Sequence, residues 1–358
     1  TSSAISGLAY FQLGALSTDQ VAALTSVQAK GLQAEQIQTL GTQSIAAINN
    51  AAISGLTSVA IQALFTDQIK SLKSAQFAAL TTLQLGVIDP AAIAAVDTED
   101  IAALKSSQIS AFNAAQIGAM TSAQLAAIGS QALRGMDTGD IQSLGYDQLN
   151  ALTTAQMAGL GADQMRAIRG DSIGGINTVA FAALNSAAIR ALSEEQIWNL
   201  NSSQIAALSS SQIAALQSQQ LNSLASNDYI VQTSYLTTKQ MAMLTSAQIS
   251  ALSTRVIVSL ETQDLAAISS GAVGGLTSTQ LGAFSEEMLN ALTTRQITLL
   301  KPAVWNSLRY EQMIALNTGE IHSLTTAQIA ALDSSHLQWL SVQQVQSLTS
   351  SQVIALSS

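Results

Sequence analysis

Leu152-Thr153-Thr154-Ala155-Gln156-Met157-Ala158-Gly159 is one unit of a short repeat, and its reading decides the fold. Nearly the same eight residues return at 244–251 as Leu-Thr-Ser-Ala-Gln-Ile-Ser-Ala and at 324–331 as Leu-Thr-Thr-Ala-Gln-Ile-Ala-Ala. An apolar residue stands at every eighth position from Leu8 through Leu224, and again from Leu236 through Leu356. With Leu152 as position 1, position 6 is also apolar, as in Ile197, Ile205, Ile213 and Leu221. Position 2 or 3 is usually Ser or Thr, position 5 is most often Gln, and position 8 is usually Ala, Gly or Ser. A strict short repeat sets the architecture before any local reading does.

One continuous helix does not fit this spacing. Eight residues turn an α-helix by about 800°, roughly 80° past two full turns, so the apolar stripe would spiral around the rod. No straight or supercoiled helix follows such a drift. A β-solenoid is the weaker alternative. It favours β-branched strands and Gly, Asn or Asp corners, whereas Ala327-Gln328-Ile329-Ala330-Ala331-Leu332 is made mostly of good helix formers. The remaining reading is one very short helix per octad. Ser/Thr at position 2 and Gln at position 5 form a capping box: the hydroxyl accepts a helix amide, and the Gln side chain accepts from the cap's own amide. A helix of about six residues cannot stand alone, because nucleation is costly. The spacing therefore predicts an all-α solenoid, residues 1–358, in which positions 1 and 6 form the core and the small position 8 lets helices approach. Octads with Ala52, Ala60 or Ala180 in the Gln place are expected to lose only the reciprocal half of the cap.

Composition narrows the function. Of the 358 residues, 48% are hydrophobic and only 10% are charged, with a net charge of −9. A usual domain is about a quarter charged. No Lys/Arg run exists, which argues against nucleic acid as a partner. Cysteine is absent, excluding disulfides and thiol chemistry. No window has about 18 uninterrupted apolar residues, so no membrane insertion is expected. The chain starts at Thr1 without a signal peptide, in mid-octad, and stops at Leu356-Ser357-Ser358. Neither end carries the polar cap of a free solenoid. The expectation is a segment of a longer array, or subunits stacked end to end into an open fibre.

Two irregularities stand out. Leu236 follows Leu224 by twelve positions instead of eight, a four-residue insertion within 225–235. It reads as a surface bulge or extra turn, or as a contact loop anchored by Tyr229 and Tyr235. A weaker period of forty residues marks Ile48, Ile88, Ile128 and Ile168, whose octads all lack Gln at position 5. It is expected to reflect superhelical geometry or a recurring contact line.

Candidate chemistry is sparse. His322 and His336 have no Ser and carboxylate set around them in a recognisable pattern. Acidic residues recur near positions 4 and 5, at Asp19, Asp67, Asp100, Asp140, Glu195 and Asp264. They suit helix N-termini. A stack of carboxylates binding calcium weakly is the one metal reading left open, and no other cofactor is expected. Met157, Met165 and Met241 occupy core slots. Trp305 falls at core position 6, while Trp198 and Trp339 fall at positions 7 and 8 and are candidates to face a neighbouring subunit.

The motif Leu-Thr-x-x-Gln-Ile-x-Ala resembles the tandem octapeptide repeats of large secreted bacterial surface and adhesin-like proteins. It is also loosely similar to the Leu-Ser/Thr-x-x-Gln/Glu-Ile/Leu-x-x-Leu units of some α-solenoids. The resemblance covers essentially the whole chain. It implies an extracellular scaffold at the bacterial cell surface and transfers no catalytic or binding residue. The expected function is structural: a non-catalytic subunit or segment of an extracellular filament, fibre or surface layer. Such a chain associates with itself, and with the cell envelope or a matrix. The alternative is a stalk or ligand-binding region of a giant secreted adhesin.

Overall fold

The computed structural model describes residues 2–224 and 236–356. The insertion at 225–235, with Tyr229 and Tyr235, lies outside the described residues. The chain forms two compact units, residues 1–191 and 192–358. Each is an all-α solenoid of helices four to six residues long, about one per octad, with no strand among the described residues.

The octad 152–159 shows why. Thr153 is extended (φ −79°, ψ 161°), the Gln156 amide donates to its hydroxyl, and the helix Thr154–Gly159 follows. The next Leu ends the helix. Leu160 is extended (φ −64°, ψ 135°), its amide donates to the Met157 carbonyl, and the following residue opens the next cap. Termination needs no left-handed glycine, and no described residue has positive φ. The hydroxyl is the dispensable half of the box. Where position 2 is Phe65, Lys73, Gly145 or Arg309, no side chain caps the helix, yet the Gln at position 5 still accepts from that residue's amide.

Positions 1 and 6 form the core as expected: Leu152 and Met157, Leu184 and Ile189, Leu252 and Ile257 are all buried. Met165, Met241 and Trp305 are buried with them. Burying a Leu, Ile or Met side chain is worth about 1.5–3 kcal/mol, an upper figure for a chain that is already compact when unfolded. Two such residues per octad offset the nucleation cost that a five-residue helix cannot meet alone.

Within each unit a helix packs on the third one along. In the first, Ser26–Ala29 meets Asn50–Gly55 and Pro90–Ala95 meets Ala114–Ala119. In the second, Thr238–Met241 meets Thr262–Ala267 and Thr326–Ala330 meets Ser350–Ala355. Side-chain bonds between coils span 28 to 31 residues in Gln68, Gln156 and Gln328. One coil is therefore between three and four octads. The forty-residue period is not the length of a coil. At three of its four octads, those of Ile48, Ile128 and Ile168, it coincides with a close approach to the coil before, while the fourth has Ala95 at position 8. A Cβ on Gly55 or Gly135, each at position 8 of a Gln-less octad, would run into the backbone carbonyl of Ser26 or Ser106. On Gly175 it would meet the Tyr146 ring. Gly275 repeats the pattern against Ser246 in the second unit. Small residues at position 8 do permit close approach.

Candidate functional site

The repeated polar feature is the Gln at position 5, and it does more than cap. Gln156 Oε1 accepts from the Thr153 amide at 2.8 Å, while its Nε2 donates to the carbonyls of Leu125 at 2.8 Å and Ile128 at 2.7 Å. Those carbonyls belong to the coil before, at position 6 of one octad and position 1 of the next. The geometry repeats at Gln68, Gln76, Gln84, Gln116 and Gln124 in the first unit. In the second it repeats at Gln280, Gln296, Gln328, Gln344 and Gln352. All of these side chains are buried. A buried amide is tolerable only when its donors and acceptor are satisfied. Here one side chain pairs a helix-start amide and a position-1 carbonyl that a short helix leaves orphaned, and adds a second donor to the position-6 carbonyl, which already accepts from the next position-1 amide.

On either side of the insertion the latch keeps its register. Gln240 and Gln248 reach 35 and 32 residues back, four more than elsewhere, to the equivalent carbonyls of Ile205 and Leu208 and of Ile213 and Leu216.

Loss of Gln removes the latch as well as the reciprocal cap, so the expectation for Ala52 and Ala180 was incomplete. In both octads an Asn at position 2 takes over. Asn49 Nδ2 donates to the carbonyls of Ala22 at 2.9 Å and Leu24 at 2.6 Å while its Oδ1 caps Ala52. Asn177 bonds Asn150 and Leu152 in the same way and caps Ala180. The octad of Ala60 keeps only the Thr57 hydroxyl cap.

The acidic residues divide into two sets. Asp19, Asp67 and Glu195, at position 4, are exposed near helix starts. Asp100, Asp140 and Asp264, at position 5, are buried in the Gln slot, as is Glu320. Burial raises the pKa of all four carboxyls. A Ser74 hydrogen bond opposes the shift at Asp100, and backbone amides oppose it at Asp140 and Glu320. Glu320 is nearly isosteric with Gln. Its Oε2 accepts from the Asn317 amide at 2.7 Å, but its other oxygen stands where a donor normally points at carbonyls, and it can donate only when protonated. Among the described residues, no group of three or more His, Asp or Glu side chains could hold a metal ion.

His336 also replaces Gln. Its Nε2 donates to the Leu308 carbonyl at 3.0 Å, 28 residues back, and its Nδ1 lies 2.7 Å from Asp333 Oδ1. That contact holds the Asp333 carboxyl below its ordinary value. The exposed His322 places Nδ1 2.9 Å from the Ser347 carbonyl. Trp339 is half-buried, edge-on to Tyr310 (5.9 Å between centroids) and tilted against His336 (4.6 Å). Trp198 is 43% exposed, whereas Trp305 is fully buried with its indole N–H unpaired.

A search of curated proteins finds no match to this chain. A family model described as the ALTTAQ repeat matches residues 93–130, 133–169, 173–210, 257–294 and 307–342, together more than half of the chain. The first three matches begin forty residues apart, so the forty-residue period is that of the family repeat. Ala151-Leu152-Thr153-Thr154-Ala155-Gln156 reproduces the signature letter for letter. Its Leu, first Thr and final Gln are a core residue, a cap and a latch. The chain belongs to the ALTTAQ repeat family.

Proposed function

We propose that this chain is a structural, non-catalytic subunit or segment of an extracellular bacterial filament, fibre or surface layer, assembled by end-to-end and lateral stacking without a cofactor. The observation that carries the reading is the polarity of the latch. Each Gln donates backward along the chain, and each acceptor carbonyl receives from a later coil, so the two faces of a coil differ. Contacts between unlike faces are heterologous, and where their rotation does not close a ring the stacking continues as an open filament. Gln12 and Gln20 are exposed and Gln28 is half-buried; all three make the cap bond, while their amide nitrogens donate to no described residue. A coil of the same kind fits that face, whether from the same array or from a second copy. A low-charge exterior rich in Ser, Thr, Gln and Asn suits lateral hydrogen bonding.

The rival reading is the stalk of a large secreted adhesin. Favouring it, Phe11, Val27, Val59, Leu83 and Val179 are exposed at position 4, where they serve neither core nor latch. Negative-stain electron microscopy of the purified protein separates the two. Fibres that lengthen with concentration are expected, and they should shorten when Gln12, Gln20 and Gln28 are all changed to Glu. A protein that stays monomeric and fibre-free at high concentration overturns the filament.

A further inference from the structure

The octad 168–175 departs furthest from the repeat. It reads Ile168-Arg169-Gly170-Asp171-Ser172-Ile173-Gly174-Gly175, with neither a hydroxyl cap nor a Gln, and folds as the 3-10 helix Gly170–Gly175. Its inner residues account for its position: Ile168 and Ile173 are buried, and Gly175 backs onto Tyr146. Its outer charges have no such duty. Arg169 stands at the N-cap and makes no cap bond. Its guanidinium instead meets the Asp171 carboxylate, Nη2 to Oδ2 at 2.7 Å and Nε to Oδ1 at 3.2 Å. Ser172 Oγ donates to Asp171 Oδ1 at 2.7 Å. None of these bonds reaches another coil. A second 3-10 helix, Pro302–Ser307, keeps this geometry with Lys301-Pro302-Ala303 in those places, so the turn itself requires no Arg–Asp pair.

The two side chains are 60% and 65% exposed, in a chain with 10% charged residues. A second exposed pair, Arg166 with Asp163, lies just before it. The Arg169 hydrogen bond, helped by Ser172, holds the Asp171 carboxyl below its ordinary value, so an ionised carboxylate is on display at neutral pH. An ion pair facing open water is weakly held and exchanges readily for better partners.

We infer that Arg169-Gly170-Asp171 is a recognition element for a cation-dependent adhesion receptor. Such a receptor offers a carboxylate to the Arg169 guanidinium, and to Asp171 a protein-bound divalent cation with an open coordination position. The guanidinium fork matches a carboxylate through two parallel hydrogen bonds, and a lysine does not. A hard divalent cation takes carboxylate oxygen as a ligand. Gly170 puts no side chain between the two arms. The inference goes beyond self-assembly, because a single chain carries both arms.

The test immobilises a receptor ectodomain that binds the free peptide Arg-Gly-Asp-Ser in the presence of Mg²⁺, and passes the full chain over it. Saturable binding is expected, abolished by chelating the cation and displaced by the free peptide. Asp171→Glu, which keeps the charge but lengthens the arm, and Arg169→Lys should each weaken binding about tenfold or more. Asp163→Glu should leave it unchanged, and circular dichroism verifies that each variant is folded. The inference is overturned if the folded chain does not bind while the peptide does, or if binding survives chelation or Asp171→Glu. Fibres or their absence under the microscope bear on the assembly proposal alone.

Discussion

Octads 152–159 and 128–135 lie three repeats apart in the same unit and hold to the preceding coil by different means. The first uses a polar bridge. Gln156 is buried and bonds one amide in its own octad and two carbonyls a coil earlier. The second has Ala132 in the Gln place, Gly129 at the cap with no side-chain bond, and a helix of only four residues. It compensates by proximity: Gly135 lies so close to the Ser106 carbonyl that no Cβ fits between them. A bulky side chain that bridges two coils also separates them, and where it is missing the backbones close up. The same architecture therefore tolerates loss of its most frequent polar residue by more than one means: a glycine at position 8 in this octad, an asparagine cap at Asn49 and Asn177, and a hydroxyl cap alone at Thr57.

The sharpest way to break the comparison is Gln156→Ala. It leaves the Thr153 amide and the Ile128 carbonyl without their Gln partner and takes one of two donors from the Leu125 carbonyl, which keeps the Ile128 amide, at a cost of about 3 kcal/mol in chemical denaturation. Thr153→Ala, which removes only the hydroxyl half, should cost about 1 kcal/mol. Equal losses would mean that the cap, not the bridge between coils, is the stabilising element. Next in size is Gly135→Ala, expected to cost about 2 kcal/mol through overpacking against backbone. Gly41→Ala, where nothing lies within 4 Å of the added carbon, should leave stability nearly unchanged. A harmless Gly135→Ala would show that the close approach is incidental.

The smallest effect is a slope with pH. Glu320 has a pKa raised in the folded state, chiefly by burial. Its stabilising contribution is therefore complete below its ordinary value, where both states are protonated, and is lost as pH rises through the raised one. Asp100, Asp140 and Asp264 act in the same direction. Glu320→Gln restores the donor at every pH, so it should stabilise the protein at neutral pH and flatten the decline in melting temperature between acid and neutral conditions. A variant no more stable than the parent at neutral pH would show that the buried acid already finds a partner as good as the amide.

Much of the fold is legible in single octads. Thr153 and Gln156 name the cap, Leu152 and Met157 the core pair, and Gly159 the small position, because each of these depends on residues within one short helix. Trp305 in the core follows from the same phase. The candidate site was half legible. The cap half of Gln156 connects positions three apart, and the sequence displays it. The latch half depends on which carbonyls lie one coil back, and nothing in an octad states that distance. For the same reason Asp67 and Asp100, one position apart in the repeat, look alike in the sequence, yet one is exposed and the other lies in the Gln slot.

The sequence by itself determined the secondary structure, its boundaries and the inward-facing positions, since caps and apolar spacing act over eight residues. Only the tertiary structure decided the length of a coil, the second use of glutamine, its replacement by Asn49 and Asn177, and the close approaches of Gly55 and Gly135 to the coil before. These depend on contacts about 25 to 31 residues apart, set by how short helices pack around a shared core rather than by any local preference.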